Sequence, residues 1–190
     1  MTPLAAAAVQ RCVAFLRAIN VGGHTVRMDR LRDLFRELGL AEVESFIASG
    51  NLVFRDPGGD AEALERRIEA HLHRALGYPV ATFLRTAAEV AAVAALRPFG
   101  DDAEEAEGRA LYVAFLHAAP SADAERRLAE FRTPTDDFRV HGREVYWRVL
   151  GRSSDSAFSG AALERTLGVP ATMRSATTVR RLAARYPHPG

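Results

Sequence analysis

The chain repeats one apolar hexapeptide almost unchanged, as VAFLRA at residues 13–18 and as VAFLHA at residues 113–118. Each copy carries apolar residues at both odd and even positions, which is typical of a β-strand that is covered on both faces. Because the copies lie 100 positions apart in a chain of 190 residues, they predict two related halves of about 90 residues, a normal size for a small domain.

Turn residues recur in the same order in the two halves. Phenylalanine, glycine and valine at positions 46, 50 and 53 recur at positions 138, 142 and 145. The turn LGYP at residues 76–79 recurs as LGVP at residues 167–170. Repeated strands and turns in a fixed order indicate an internal duplication.

The first half shows which unit is duplicated. Apolar runs and helical spacing predict, in order, a strand over 11–19, a helix over 28–38, a hairpin of strands 44–48 and 52–55, a helix that Asp60 caps, a strand over 80–84 and an added helix over 86–96. We therefore predict an α+β protein of two ferredoxin-like βαββαβ subdomains, each with a four-stranded antiparallel sheet. The subdomains are predicted over 11–97 and 109–186, with a disordered leader at 1–10, an acidic linker at 98–108 and a tail at 187–190.

Composition excludes several kinds of chemistry. All 25 basic residues are arginine, which excludes a Schiff-base lysine, a pyridoxal-phosphate anchor and a Walker lysine. The single cysteine, Cys12, allows no intrachain disulfide and predicts a cytoplasmic protein. No apolar stretch reaches the roughly 18 residues that span a bilayer, so no membrane is predicted as a partner.

No motif assigns a reaction to the chain. The six histidines lack carboxylate or cysteine partners at ligand spacing, so no metal is predicted. The GxSxG and GxGxxG signatures are absent. We therefore predict no cofactor and assign no catalytic residue.

The loop after the first strand is the candidate site. In a βαββαβ unit this loop, the hairpin between strands two and three, and the turn before strand four lie at one end of the sheet. The loop also leads into a helix N-terminus, which favours anions. The predicted function is binding of a small anionic or phosphate-bearing ligand, and the predicted ligand-binding residues are Arg17, Asn20, Gly22, Gly23, His24, Ser49 and Asn51. The same residue types also serve ordinary turns, and the sequence leaves that interpretation open.

Two other functions remain open at this point. The second sheet could bind RNA as a stacking platform through Tyr112, Tyr146 and Trp147, with Arg139, Arg143, Arg148 and Arg152 nearby. A net charge of +1 and the absence of the aromatic RNA-binding signature argue against nucleic acid. A structural or assembly role without a small ligand is the other alternative, and the oligomeric state is left open.

Three motifs give the chain a family resemblance. RAINVGG at 17–23, SGNLVF at 49–54 and LGVPATMR at 167–174 resemble the signature of the DUF1697 family, a family of unknown function. The resemblance extends over residues 11–185. It implies a bacterial-type cytosolic protein with two ferredoxin-like halves, and it implies no reaction.

The chain departs from the family pattern at three places. Ala18 stands where the family usually has glycine, and His24 and Arg27 are the basic residues where the family often has lysine. The family's Arg-Asn-Trp-Asn-Thr-Val segment reads RSATTV at residues 174–179. A site that used the aromatic and amide groups of that segment would have lost them in this chain.

Overall fold

The computed structural model describes residues 10–20, 25–47, 50–56, 58–100, 108–151 and 153–188. Most of the predicted leader (1–10) and of the predicted linker (98–108) lies outside the described residues. Gly22, Gly23, His24 and Ser49 of the predicted site lie outside them as well.

Within the described residues, each half of the chain has four strands and three helices in the same order. The first half consists of β1 (Gln10–Leu16), α1 (Met28–Glu37), β2 (Ala41–Ser45), β3 (Asn51–Asp56), α2 (Ala61–Leu76), β4 (Thr82–Thr86) and α3 (Ala87–Ala95). The second half consists of β5 (Arg109–Phe115), α4 (Ala122–Ala129), β6 (Asp136–His141), β7 (Glu144–Leu150), α5 (Gly160–Leu167), β8 (Thr172–Ser175) and α6 (Ala176–Arg185). A short 3₁₀ turn, Ser153–Asp155, follows β7.

The two sheets share one topology. Their strand orders are β2-β3-β1-β4 and β6-β7-β5-β8, and all neighbouring strands are antiparallel. This is the predicted duplication of a ferredoxin-like unit, and the helix after the fourth strand is duplicated too.

The chain divides into two compact units between Val90 and Ala91, inside α3. The sequence pattern placed the boundary later, after residue 97. The C-terminal half of α3 belongs to the second unit, where the hydroxyl of Tyr146 donates to the carbonyl of Val93 at 3.4 Å. Residues 91–97 are therefore counted with the sheet that they contact.

The central strand β1 is buried on both faces, as its uniform apolar pattern predicts. Cys12, Ala14 and Leu16 join the core between the sheet and its helices. Val13 and Phe15 point to the opposite face and are 1% and 0% exposed. Full burial of an aliphatic or aromatic side chain contributes roughly 1.5–3 kcal/mol, so β1 is a major source of stability in this unit.

The edge strand β4 is completed by side chains of α2. Glu69 accepts a hydrogen bond from the backbone N–H of Thr82, and Glu65 accepts one from that of Leu84, both at 2.8 Å. An edge strand leaves alternate N–H groups without a strand partner. The two carboxylates supply that partner and attach α2 to the sheet.

Repeated turn residues have the same role in both units. Gly77 and Gly168 each end a helix in the left-handed conformation, and their N–H groups donate to the carbonyls of His73 and Glu164. A side chain at φ near +75° is strained, which explains why both copies of the Leu-Gly-x-Pro turn keep the glycine.

The second core is built around Trp147 of β7. Its indole packs against Phe138 and Phe158, and its Nε1 donates to Asp136 Oδ1 at 2.8 Å. Asp136 is 5% exposed. Burial alone would raise the pKa of Asp136, but hydrogen bonds from Ser156, Trp147, Thr135 and Thr133 outweigh burial and hold that pKa below its usual value.

We predict that Asp136→Asn lowers the free energy of unfolding at pH 7 by about 1–3 kcal/mol, since the amide cannot accept all of these hydrogen bonds. The pKa of Asp136 is lower in the folded protein than in the unfolded chain. The ionised carboxylate therefore stabilises the fold fully above the unfolded-state pKa of about 3.9. This stabilisation is lost as the pH falls through the pKa of the folded state. The difference between the two proteins should therefore shrink below about pH 4.

Urea unfolding followed by the fluorescence of Trp147, the single tryptophan, measures this difference at each pH. The matched control is Asp123→Asn, which removes an exposed carboxylate of α4. Equal stabilities at pH 7, or a difference that does not change with pH, would contradict the assignment.

Candidate functional site

Three connections meet at one end of the first sheet, as the topology predicts. The N–H of Leu16 donates to the carbonyl of Gly50 at 2.8 Å, and the N–H of Arg17 donates to the carbonyl of Ala81 at 2.8 Å. The hydroxyl of Tyr78 donates to the carbonyl of Ile19 at 3.1 Å. We call this region the loop end. It consists of residues 16–20, Gly50 of the β2–β3 hairpin and Tyr78.

Strand β1 stops earlier than its apolar pattern predicts. The expected strand covered residues 11–19, whereas β1 ends at Leu16. Ala18 has a φ of +54°, which no strand residue adopts, and it turns the chain away from the sheet. Ile19 lies beyond the end of the strand but is still buried in the core between the sheet and its helices. Its apolar side chain therefore serves core packing and does not indicate strand pairing.

Gly50 allows the hairpin to approach the loop closely. Its φ is +69°, and a Cβ atom there would lie 2.9 Å from Cγ2 of Ile19 and 3.3 Å from Cβ of Leu16. A real Cβ contact is longer than this, so a side chain would push the hairpin away from the loop. The glycine is required both by its backbone angle and by its neighbours.

We predict that Gly50→Ala lowers stability more than Gly39→Ala does. Both glycines have left-handed backbone, which costs an alanine about 1–2 kcal/mol, but a Cβ at Gly39 meets no atom within 4 Å. The overlap at Gly50 should add about 1–3 kcal/mol. Urea unfolding followed by circular dichroism compares the two variants, and equal losses would show that the close approach costs nothing.

The two asparagines of the predicted site hold the local backbone. Asn20 is exposed, and its Oδ1 accepts from the N–H of Val26 at 2.8 Å, which closes the loop on itself. Asn51 is 0% exposed, and its Nδ2 donates to the carbonyl of Phe46 at 3.2 Å across the hairpin. These amides shape the loop end from within, as ordinary turn chemistry would. Arg17 is half-buried beside them.

The N-terminus of α1 already carries an anion of its own. Asp29 lies in the first turn, and its Oδ1 accepts from the N–H of Arg30 at 2.9 Å. A hydrogen bond from Arg27 lowers the pKa of Asp29, so this carboxyl is charged at neutral pH. Asp29 therefore offsets the positive end of the helix dipole, which weakens the sequence-based argument that the helix itself attracts a ligand.

The same end of the second sheet keeps the hydrogen bond but not the glycine-rich loop. The N–H of Leu116 donates to the carbonyl of Arg143 at 2.9 Å, which corresponds to the bond between Leu16 and Gly50. The segment that follows reads HAAP at residues 117–120. The two copies thus share the strand end and differ in the loop, and the candidate site belongs to the first unit.

The described part of the chain has no reactive thiol, no cluster of metal ligands and no membrane-spanning helix. Cys12 is 4% exposed, and burial raises the pKa of its thiol to about 12, so the thiol stays protonated at neutral pH. Within the described ranges, no three histidine, cysteine or carboxylate side chains lie together as metal ligands. Across the same ranges, every helix is too short or too polar to cross a lipid bilayer.

The family model described as "Protein of unknown function (DUF1697)" matches residues 9–146 of the chain. The chain belongs to the DUF1697 family. The match contains the loop end and most of the second sheet. The LGVPATMR motif at residues 167–174, which also resembles DUF1697, lies beyond the matched range.

A solved structure shares the fold of this DUF1697 protein. It is that of the conserved bacterial protein SP0830 from Streptococcus pneumoniae, with a TM-score of 0.72 and 22% identity. The likeness covers 95% of this chain and 100% of that one. At this identity the likeness establishes the fold and no more. No curated protein matches the chain.

Ala18 has a left-handed backbone angle that glycine would adopt without strain. Ile47 of the hairpin has a φ of +50° and is also not a glycine. Such residues cost of order 1–3 kcal/mol each and persist where the surrounding structure holds them. The sequence contains no signal for Ile47, because an isoleucine favours extended backbone and its left-handed angle is imposed by the turn.

We predict that Ala18→Gly raises the free energy of unfolding by about 1 kcal/mol, because glycine adopts positive φ without strain. The matched control is Ala63→Gly, at an exposed position inside α2, which should lower it by about 1 kcal/mol. Chemical denaturation measures both changes. A loss of stability in both variants would mean that position 18 has no strained backbone to relieve.

The RNA alternative finds little support in the second sheet of this DUF1697 protein. Tyr146 and Trp147 are 1% and 3% exposed, so neither ring presents a face on which a base could stack. Tyr112 packs against Trp147, and its hydroxyl contacts Ser153 Oγ at 3.0 Å. Arg152 lies outside the described residues.

Proposed function

We propose that this DUF1697 protein binds a small anionic, phosphate-bearing ligand at the loop end of the first sheet. One observation carries the proposal: Ala18 and Ile47, two of the three non-glycine residues with positive φ in the described part of the chain, lie in the two turns that Gly50 brings into contact. Strain of this kind concentrates at binding sites, where the bound state requires a backbone that relaxed turns do not provide.

Arg17 is the cation of the proposed site. It follows the last residue of β1, and its backbone is held by Ala81. A guanidinium binds a phosphate through two parallel N–H donors, which gives both charge and orientation. Gly22, Gly23, His24 and Ser49 belong to the proposal on the strength of their sequence positions. Asn20 and Asn51 act indirectly, by holding the loop and the hairpin in place.

We expect phosphate compounds to raise the melting temperature of the protein and Arg17→Ala to remove the part of the increase that is due to binding at the loop end. The screen uses inorganic phosphate, mononucleotides and sugar phosphates, each against its unphosphorylated form. A ligand at ten times its Kd stabilises the folded protein by about 1.4 kcal/mol, which a thermal-shift measurement detects.

Arg27→Ala is the matched control. Arg27 lies in the same loop region and its removal changes the net charge equally, but its side chain is 82% exposed and is paired with Asp29. A ligand shift that is lost in the Arg27 variant and kept in the Arg17 variant would contradict the proposal. A flat screen across all phosphate compounds would remove the proposed function altogether.

The proposal includes a cytoplasmic location, and it assigns no reaction to the protein. The single cysteine and its inert, buried thiol are consistent with a reducing compartment.

A further inference from the structure

An arginine cluster lies on the sheet of the second unit, and one carboxylate lies at its centre. Asp137 of β6 is within 3.1 Å of Arg132 Nε, 2.7 Å of Arg139 Nη1 and 3.3 Å of Arg148 Nη2. The Asp137 side chain is 20% exposed, so these ion pairs are only partly screened by water. One negative charge thus holds three positive charges together.

An aromatic ring orients two of these guanidinium groups. The Arg148 guanidinium lies 4.5 Å from the ring centroid of Phe99, and that of Arg139 lies 5.2 Å from it. Each group is therefore held by the carboxylate on one side and by the face of the ring on another. Binding a ligand would cost little further ordering of these two side chains.

The cluster forms the wall of a pocket. The pocket has a volume of about 280 Å³, and Arg109 is a fourth arginine in its lining. We call it the arginine pocket, and its charged members are Arg109, Arg132, Asp136, Asp137, Arg139 and Arg148. Arg132, Arg139 and Arg148 share the one carboxylate of Asp137, which leaves these four side chains with a surplus of two positive charges.

The carboxylate of Asp136 does little to reduce that surplus at the pocket. Its Oδ1 accepts from Trp147 and Ser156, and its Oδ2 accepts from Thr133 and Thr135. It is therefore engaged with the core and with the turn before β6. Asp137 is the carboxylate that Arg132, Arg139 and Arg148 share.

A surface network of ion pairs can exist without any ligand, so a binding site requires a feature that such a network does not have. Such networks usually match their charges, because like charges held close together repel each other. Here Arg132, Arg139 and Arg148 outnumber their shared carboxylate by two charges, and they line a pocket of about 280 Å³. A dianion in that volume would balance the surplus.

We propose that the arginine pocket binds a phosphate monoester of about the size of a sugar phosphate. A phosphate carries nearly two negative charges at neutral pH, which matches the surplus, and its oxygens fit the paired donors of guanidinium groups. The volume admits a phosphate with a small substituent. This site is distinct from the loop end and does not depend on the function proposed there.

Titration calorimetry with inorganic phosphate and with ribose 5-phosphate tests the proposal, and ribose is the uncharged control. Arg148→Gln should weaken ribose 5-phosphate binding at least tenfold. Asp137→Asn should strengthen it several-fold, because it removes the anion that competes for the same guanidinium groups. A purely structural ion-pair network does not produce these opposite changes.

Two further variants keep the result interpretable. Arg132→Gln removes a half-exposed arginine and should also weaken binding, which covers the case in which Arg148→Gln fails to fold. Arg126→Gln removes an exposed arginine of α4 that pairs with Asp123 and should leave binding unchanged. Equal affinities in all four variants, or weaker binding in Asp137→Asn, would overturn the proposal.

The same variants separate the two proposed sites. Binding at the arginine pocket should persist in Arg17→Ala and be lost in Arg148→Gln, whereas binding at the loop end should show the reverse pattern. Ribose 5-phosphate binding that depends on Arg17 alone would overturn the arginine pocket and leave the loop end standing.

Discussion

Each sheet depends on a central strand that is hydrogen-bonded along both edges and buried on at least one face. β1 lies between β3 and β4, and β5 lies between β7 and β8. From Cys12 to Leu16, the side chains on both faces of β1 are buried. Such a strand tolerates neither a charged side chain nor a shift in register, since a shift by one residue would exchange its two faces. This constraint explains why VAFL is the best-preserved stretch of the duplication.

The two copies begin to differ in sequence and backbone where that constraint ends. Leu16 and Leu116 both donate to the facing hairpin. Beyond them the backbone is no longer part of a sheet, and the two loops have different sequences. The first unit has a left-handed alanine, Ala18, between Leu16 and Ile19, and the hairpin approaches those two residues closely at Gly50. The second unit has instead an arginine pocket on its sheet. A duplicated scaffold therefore carries two different candidate anion sites.

Both candidate sites rely on arginine, the only cationic side chain in the chain apart from histidine. A guanidinium keeps its charge when it is partly buried and can bind a carboxylate, a backbone carbonyl and an aromatic face at once. Arg139 does all three, with Asp137, the carbonyl of Phe138 and the ring of Phe99. A lysine could not replace it there, because a point charge lacks the flat donor geometry.

Much of the fold could be predicted because local signals and the duplication agree. The capping Asp60, the glycines that end α2 and α5, and the two-sided strand all occupy the places that the sequence indicates. The early end of β1 could not be predicted, since Ile19 is apolar for its packing and not for strand pairing. The two compact units divide inside α3, and a helix pattern alone does not say which unit each half of that helix contacts.

The sequence alone determined the fold class, the duplication and the set of polar residues near the first loop, because apolar periodicity and turn residues are local properties. The tertiary structure decided which of those polar residues hold the local backbone and which other polar residues come together elsewhere. Asn20 and Asn51 hold backbone, whereas Arg132, Arg139 and Arg148, which are separated in the chain, meet at Asp137. Strand pairing and the turn before β6 bring those arginines together, and spacing along the chain does not encode such a meeting.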